Sequence, residues 1–274
     1  MMEFALLASG SKGNSFVLRD GTGVIMIDCG TTKKYLFSSL EKIHVSKNEI
    51  DALLITHDHS DHISQIRHFS DLPVYSPVEI DGIDCFHVTP MHPFFIETMK
   101  ITPLALSHDA PSTVGYVIED GIEKLVYITD TGYVNQNYIP YLKDADYIVL
   151  ESNHDVSMLM ATRRPQFLKY RIYSDQGHLC NEDCAEVLKQ IISPKTKMII
   201  LAHISEEANT REKALETSRA LLLDECRERM NEKLVLAAAG QHEMIRKGFE
   251  DEEMDPGSVS CFIGMERHSD LFHC

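Results

Sequence analysis

Ile55-Thr56-His57-Asp58-His59-Ser60-Asp61-His62 closes the apolar run that starts at Ala52 and sets four metal-binding side chains within six residues. In an extended segment His57 and His59 point to the same side, as two ligands of one ion must. Asp61 and His62 fall where the chain is predicted to turn into a helix over residues 63–69, which aims them at a second ion nearby. An isolated His-x-His on a strand is ordinary surface, but His-x-His-x-Asp-His at the end of a buried strand has no packing rationale. The stretch therefore predicts two divalent ions. Neutral imidazole suits zinc, manganese and iron, and the carboxylate hardens the second position, so Zn2+ is expected first, with Mn2+ or Fe2+ as alternatives.

Toward the N-terminus, short apolar runs at residues 4–8, 16–18 and 24–27 read as strands, with Gly10, Gly13, Gly21 and Gly23 turning the chain between them. The first turn, Ser9-Gly10-Ser11-Lys12-Gly13-Asn14-Ser15, offers free backbone N–H groups and one lysine. Ser11, Lys12 and Asn14 are candidate substrate contacts for an anion, although a polar hairpin turn explains the same residues and the pattern is not a P-loop. Asp28 ends the third strand, and Leu36, Phe37 and Leu40 predict a helix over 33–43.

Downstream, three more apolar runs end on metal-binding residue types: Leu106-Ser107-His108, Ile128-Thr129-Asp130 and Leu201-Ala202-His203. The strand 147–150 delivers Glu151-Ser152-Asn153-His154-Asp155 to a loop. Gly177-His178-Leu179-Cys180 leads into a helix with Asn181 as its expected cap and Cys184, Val187, Leu188 and Ile191 as its apolar face. That face makes Cys184 a core thiol and sets aside a structural zinc fragment through His178 and Cys180. Asn209, with Glu212 as capping-box partner, predicts a helix over 210–230, and 233–238 reads as a last strand.

At 274 residues and 43% hydrophobic content, one α/β domain is expected over 1–246. Residues 247–274 are set apart as an acidic, poorly ordered tail: Asp or Glu occupies seven positions from Glu250 onward against Arg267 alone. No apolar run of membrane-spanning length and no signal-peptide pattern is present, and seven scattered cysteines argue for reduced thiols. A cytoplasmic protein without a membrane partner is expected. The net charge of −16 disfavours a broad nucleic-acid-coating surface. Arg163, Arg164, Lys169 and Arg171 nevertheless form a local basic cluster, either a solvated charge run or a strip that meets a nucleic-acid backbone.

The ordered set His57-x-His59-x-Asp61-His62, His108, Asp130 and His203 resembles the metallo-β-lactamase superfamily. The resemblance implies an αββα sandwich, two mixed β-sheets flanked by helices. It assigns His57, His59 and His108 to the first ion, Asp61, His62 and His203 to the second, and Asp130 to both. Asp28 matches an aspartate that binds no metal and braces the histidine loop. Glu151 with Gly177-His178 resembles the ribonuclease Z pattern, in which the glutamate supports a histidine that serves the leaving group. Leu7-Ala8-Ser9-Gly10-Ser11-Lys12-Gly13-Asn14-Ser15, Ser107-His108-Asp109-Ala110 and Glu151-Ser152-Asn153-His154-Asp155 are similar to the bacterial WalJ/YycJ family of metallohydrolases, for which DNA exonuclease activity is implied. Cys180 departs from the serine expected there.

The expected function is a two-metal phosphodiesterase, a DNA exonuclease-like nuclease with nucleic acid as substrate. A metal-bridging hydroxide would attack phosphorus, Asp61 would orient the attacking water or accept its proton, and His178 would serve the departing oxygen. Glu151 or His154 would fix the His178 tautomer, although a helix-start role for His178 and a structural role for His154 also fit. Hydrolysis of a small ester, thioester or lactone on the same platform is the alternative, and a non-hydrolytic metal-binding protein is a third reading. The Glu151 and His178 pair favours phosphodiesters.

Overall fold

Two sheets share the apolar runs. In the computed structural model, which describes residues 1–249 and the backbone of the strand at 259–262, the first sheet begins with β1 (Glu3–Ala8), β2 (Ser15–Arg19) and β3 (Val24–Ile27). It continues through α1 (Lys33–Lys42) to β4 (Ala52–Leu54), then through α2 (Ser60–Ile63) to β5 (Val74–Ser76) and β6 (Cys85–His87). The second sheet takes β7 (Phe94–Ile96), β8 (Met99–Leu106), β9 (Thr113–Glu119) and β10 (Lys124–Ile128), then α3 (Ile139–Leu142) and β11 (Tyr147–Glu151). Next come α4 (Val156–Ala161), α5 (Gln166–Tyr173), α6 (Asn181–Ile191), β12 (Met198–Ala202), α7 (Arg211–Glu225) and β13 (Val235–Ala238). β14 (Ile245–Lys247) returns to pair with β1, and β15 (Val259–Phe262) pairs with β13.

The orders in space are β14-β1-β2-β3-β4-β5-β6 and β15-β13-β12-β11-β10-β9-β8-β7. Both sheets are mixed: β3 to β6 and β10 to β13 run parallel, while the hairpins on either side are antiparallel. Parallel strands covered on both faces must be apolar throughout, which is why β4, β11 and β12 are buried at every position.

Three apolar layers follow. Between the sheets lie Phe4, Phe16, Tyr116, Tyr127 and Tyr147, with the Phe4 and Tyr147 rings 5.0 Å apart in a T-shape and Phe16 and Tyr127 at 5.3 Å. Leu36 and Leu40 of α1 cover the outer face of the first sheet. Cys184, Val187, Leu188 and Ile191 of α6 cover the second, joined by Leu215 and Leu222 of α7. This is the αββα sandwich that the resemblance implies. Truncating a fully buried ring such as Phe16 to alanine is expected to cost about 3–5 kcal/mol.

Four local expectations change. The strand predicted to run into the histidines stops at Leu54, because the Thr56 N–H and hydroxyl turn to the Asp28 carboxylate at 2.9 and 2.8 Å. The helix expected over 63–69 is instead the short α2 followed by a 3-10 turn at Ile66–His68; the Gln65 N–H leaves the helical ladder for Cys29 O at 3.0 Å. Cys180, not Asn181, caps α6, and Thr210, not Asn209, caps α7, which ends at Glu225. The two asparagine side chains bond to each other at 2.8 and 2.9 Å, so neither is free to cap. The boundary drawn at 246 falls inside β14, and β15 lies within the stretch set apart as a tail. Residues 250–258 and 263–274 of that tail lie outside the described residues.

Candidate metal centre

His57, His108, Asp130 and His203 stand just beyond the carboxyl ends of strands from both sheets, and His59, Asp61 and His62 follow His57 into the first turn of α2. Asp28 follows β3 and Asp130 and His203 follow β10 and β12, all three in left-handed backbone at φ 58°, 58° and 54°. Non-glycine residues resist that region by about 1–2 kcal/mol. Backbone contacts hold two of them: Asp28 N–H donates to Leu54 O at the end of β4 at 2.9 Å and His203 N–H to Ser9 Oγ at 2.7 Å. Gly30 admits the histidine loop, since a Cβ there would lie 1.6 Å from Asp61 O. Cys29 N–H to His62 O at 2.7 Å and Asn14 N–H to Asp61 O at 2.8 Å then fix that loop against the first sheet.

The ring nitrogens of His57, His59 and His108 lie within 4.8 Å of one another, and Asp61, His62 and His203 form a second group of the same kind. Asp130 lies between the groups. Its Oδ2 is 3.2 Å from His62 Nε2, and its Oδ1 is 3.4 Å from His203 Nε2 and 4.0 Å from His108 Nε2. Behind them, His62 Nδ1 meets Asp28 Oδ2 at 2.8 Å and His108 Nδ1 meets Gly177 O at 3.1 Å. Those acceptors take the Nδ1–H and leave the Nε2 lone pairs aimed inward.

Burial holds the His57 imidazole far below its ordinary range and lowers that of His108, so both rings stay neutral and able to donate a lone pair. At His62 and His203 burial works the same way, but carboxylates outweigh it: Asp28 and Asp130 push His62 well up, and Asp130 and Glu151 push His203 to about 9. The interior around Asp130 thus calls for positive charge. His57 Nε2, His203 Nε2 and Asp130 Oδ2 are buried without a hydrogen-bond partner among the described residues, although buried polar atoms are almost always paired. Nitrogen and oxygen donors left open toward one space fit divalent ions.

Glu151 plays a different part. Its Oε1 faces His178 Nδ1 at 2.8 Å and His203 Nδ1 at 3.0 Å, while Oε2 accepts from Thr131 N–H at 2.8 Å. With its oxygens engaged in these bonds, it braces two histidines. Burial alone would raise its pKa, yet His178 and His203 hold it at about 2, so it remains an anion. His178, stacked on the His203 ring at 5.1 Å, keeps its Nε2 for an open cleft of about 190 Å³. Ser11, His59, Asp61, His108, Asp130 and His203 line the same cleft.

Residues 24–204 match the family described as "Beta-lactamase superfamily domain". The chain belongs to the beta-lactamase superfamily. Within it, the chain is 34% identical over 229 residues to a Bacillus anthracis protein named exodeoxyribonuclease YycJ, covering 78% of this chain and 86% of that one. It is also 34% identical over 231 residues to exodeoxyribonuclease WalJ of Streptococcus pneumoniae, covering 77% and 85%. Among solved structures, the metallo-beta-lactamase fold protein YhfI of Bacillus subtilis superposes with a TM-score of 0.67 at 17% identity, covering 90% of this chain and 99% of that chain. The chain is a metal-dependent hydrolase of this superfamily.

Against the superfamily pattern, the fold brings together His57, His59, Asp61, His62, His108, Asp130, His203, Asp28, Glu151 and His178. Among the described residues no hydrogen bond or ring contact joins His154 to His178: the His154 ring is buried with neither nitrogen hydrogen-bonded, and its backbone bridges to Cys180. Among the loop residues expected to contact substrate, only Ser11 lines the cleft. Lys12 Nζ is paired with Glu206, and Asn14 is buried with its amide 2.9 Å from His62 Nε2, so it shapes the loop. The basic cluster divides as well: Arg164 and Arg171 line the cleft, whereas Lys169 is buried with Nζ on Met160 O.

The residue missed by sequence reasoning is Asp109. Its Oδ1 lies 3.3 Å from His108 Nε2 and 3.9 Å from His59 Nε2, while Oδ2 pairs with Arg171 of α5. Its place beside His108 in the chain was the available signal. Asn153, whose amide reaches His203 O at 2.8 Å, gave none.

Proposed function

We propose that this chain is an exodeoxyribonuclease, hydrolysing DNA phosphodiester bonds with two divalent ions, zinc first, held by His57, His59 and His108 and by Asp61, His62 and His203 about Asp130. The observation that carries the reading is the buried Glu151 against His178 Nδ1 at 2.8 Å, beside those two donor groups. The relatives named YycJ and WalJ support DNA, attacked from an end, as the substrate. Bound ions supply Lewis acidity at the phosphate oxygens and acidify water.

The chain's own groups supply the rest. Asp61, a quarter exposed at the cleft, accepts a proton from the attacking water. As the P–O bond breaks, His178 Nε2 gives a proton to the departing oxygen, while Glu151 keeps the opposite nitrogen protonated and the ring in place. Five free cysteines among the described residues support work in the cytosol, where thiols stay reduced. No helix among the described residues is long and apolar enough to cross a membrane.

The test is metal-reconstituted protein incubated with end-labelled single- and double-stranded DNA and RNA, beside a thioester, with His57→Ala as control. Release of mononucleotides from DNA ends, lost in the control, is expected. Hydrolysis of the thioester alone would overturn the reading in favour of a small-ester hydrolase, and inertness with every metal would leave a binding protein.

A further inference from the structure

Helix α5 forms one wall of the cleft, and it is an unusual wall. Leu168, Arg171 and Ile172 face the opening, and the helix end is pinned to the Gly177-His178 pair by His178 N–H to Ile172 O at 2.9 Å. A Cβ at Gly177 would lie 2.1 Å from that same carbonyl, so the pair and the helix are held in direct backbone contact. Yet the only buried residue of α5 is Lys169. Its large rings point the other way: Phe167 is 70% exposed, Tyr170 60% and Tyr173 52%. Spaced three apart, they follow one another along the helix by about 4.5 Å, in a stripe beside the residues that line the cleft. Nothing in the folding of the chain requires rings of this size in water.

The charge around the stripe is as local as the rings. From 156 to 174 the chain carries four Lys or Arg and no acid, within a protein of net charge −16. Arg164 is paired with Glu207 and Arg171 with Asp109 at the cleft; Arg163 is exposed, and no acid pairs with it among the described residues. Exposed planar rings on a helix whose end is tied to His178, in a segment that carries basic residues and no acid, match the chemistry of an unpaired polynucleotide, whose bases stack and whose phosphates need cations. A duplex offers its ring faces only to its own neighbours, so the chemistry selects a single strand.

Resting on the nuclease reading above, we propose that Phe167 and Tyr170, with Arg163, form a stacking platform for unpaired bases of a DNA strand whose end lies in the cleft. The platform makes single-stranded DNA, or a frayed end, the preferred substrate and grips it a few nucleotides from the scissile bond. Because both rings are exposed, replacing them leaves the fold and the cleft intact.

The experiment compares wild type with the Phe167→Ala/Tyr170→Ala double variant, both metal-loaded. Fluorescence anisotropy measures binding of a cleavage-resistant phosphorothioate oligothymidine over a range of salt, and hydrolysis of bis(p-nitrophenyl) phosphate reports the cleft alone. The expected result is oligothymidine affinity at least about tenfold weaker with an unchanged salt slope, since stacking is lost and ionic contacts are kept. Hydrolysis of the small diester and the melting midpoint should match wild type. Unchanged affinity overturns the platform, as does an equal loss on the small diester, or a shift of the variant from dimer to monomer with oligonucleotide binding intact. If wild type itself fails to cleave DNA, the nuclease reading falls and the platform with it; if wild type and variant degrade single-stranded DNA equally well, the platform alone falls.

Discussion

At the amino ends of β10, β11 and β12, Glu123 is buried with every oxygen answered. Its Oε2 accepts from Met2 N–H at 2.5 Å, and its Oε1 from Tyr147 Oη at 2.7 Å and Lys197 Nζ at 2.8 Å. Lys197 also meets Asp146 at 2.8 Å, so one ammonium serves two carboxylates. At the carboxyl ends of the same strands, Asp130, Glu151 and His203 gather charge just as densely, but Asp130 Oδ2 and His203 Nε2 find no hydrogen-bond partner among the described residues. The three strands thus carry one closed charge cluster and one open one. A closed cluster holds the fold together, because its groups would lose more by unpairing than by staying. An open cluster gives stability away so that something else can complete it.

The largest test of that contrast is Asp130→Asn. Removing the carboxylate between the two donor groups should lower hydrolysis by at least about 10²–10³-fold, the scale for losing one preorganised charge-stabilising group. The melting midpoint of the metal-free variant should change less than for a fully hydrogen-bonded buried carboxylate, since Asp130 Oδ2 makes no hydrogen bond among the described residues and His62 and His203, which it pushes up, can give up their protons; a fall as large as that of a closed cluster would mean that Asp130 is structural. Glu151→Gln probes the border between the regimes, because that carboxylate is itself closed while serving the open end. Metal affinity and turnover should each fall about 10–100-fold, as for other groups that orient ligands. Titration with Zn2+ beside turnover checks both, and an unaffected affinity would confine Glu151 to His178.

How much of this was legible depends on how local the cause is. The seven candidate ligand positions could be read because they follow four short apolar runs and are residue types that seldom gather at such ends by chance. The sandwich came from the resemblance that the ordered set of these residues carries. Asp109 could not be given a role, because the Arg171 that holds it lies 62 residues away and an acid after a histidine has many ordinary uses. Asn181 and Asn209 have the propensity of caps, yet they tie α6 to the start of α7 instead, a choice visible only once Ser152, just past β11, meets both: its hydroxyl donates to Asn181 Oδ1 at 2.7 Å and its carbonyl accepts the Asn209 amide at 3.0 Å. The Glu123 cluster was silent for the same reason: residues 2, 123, 146, 147 and 197 meet only in the folded sheet.

Glu123→Gln is the counterpart of Asp130→Asn and should behave in reverse. Losing the anion leaves Lys197 short of one partner and should reduce stability by about 1–3 kcal/mol, with hydrolysis per folded molecule unchanged. Chemical denaturation beside an activity assay separates the two effects.

The smallest expected effect is how that difference varies with pH. Burial by itself would raise the Glu123 carboxyl, but Lys197, Tyr147 and the Met2 N–H hold it at about 2, below the usual 4.5. A depressed folded-state pKa means that the unfolded chain binds the proton more readily, so acid favours unfolding. The contribution of Glu123 is therefore complete above about pH 4.5 and is lost as the pH falls toward 2. Wild type and Glu123→Gln should differ by their full amount at pH 7 and converge as pH drops through that window, and because both carry the same other carboxylates, the general acid destabilisation cancels in the difference. A constant gap down to pH 2.5 would show that the hydrogen bonds to Glu123, and not its charge, close the cluster.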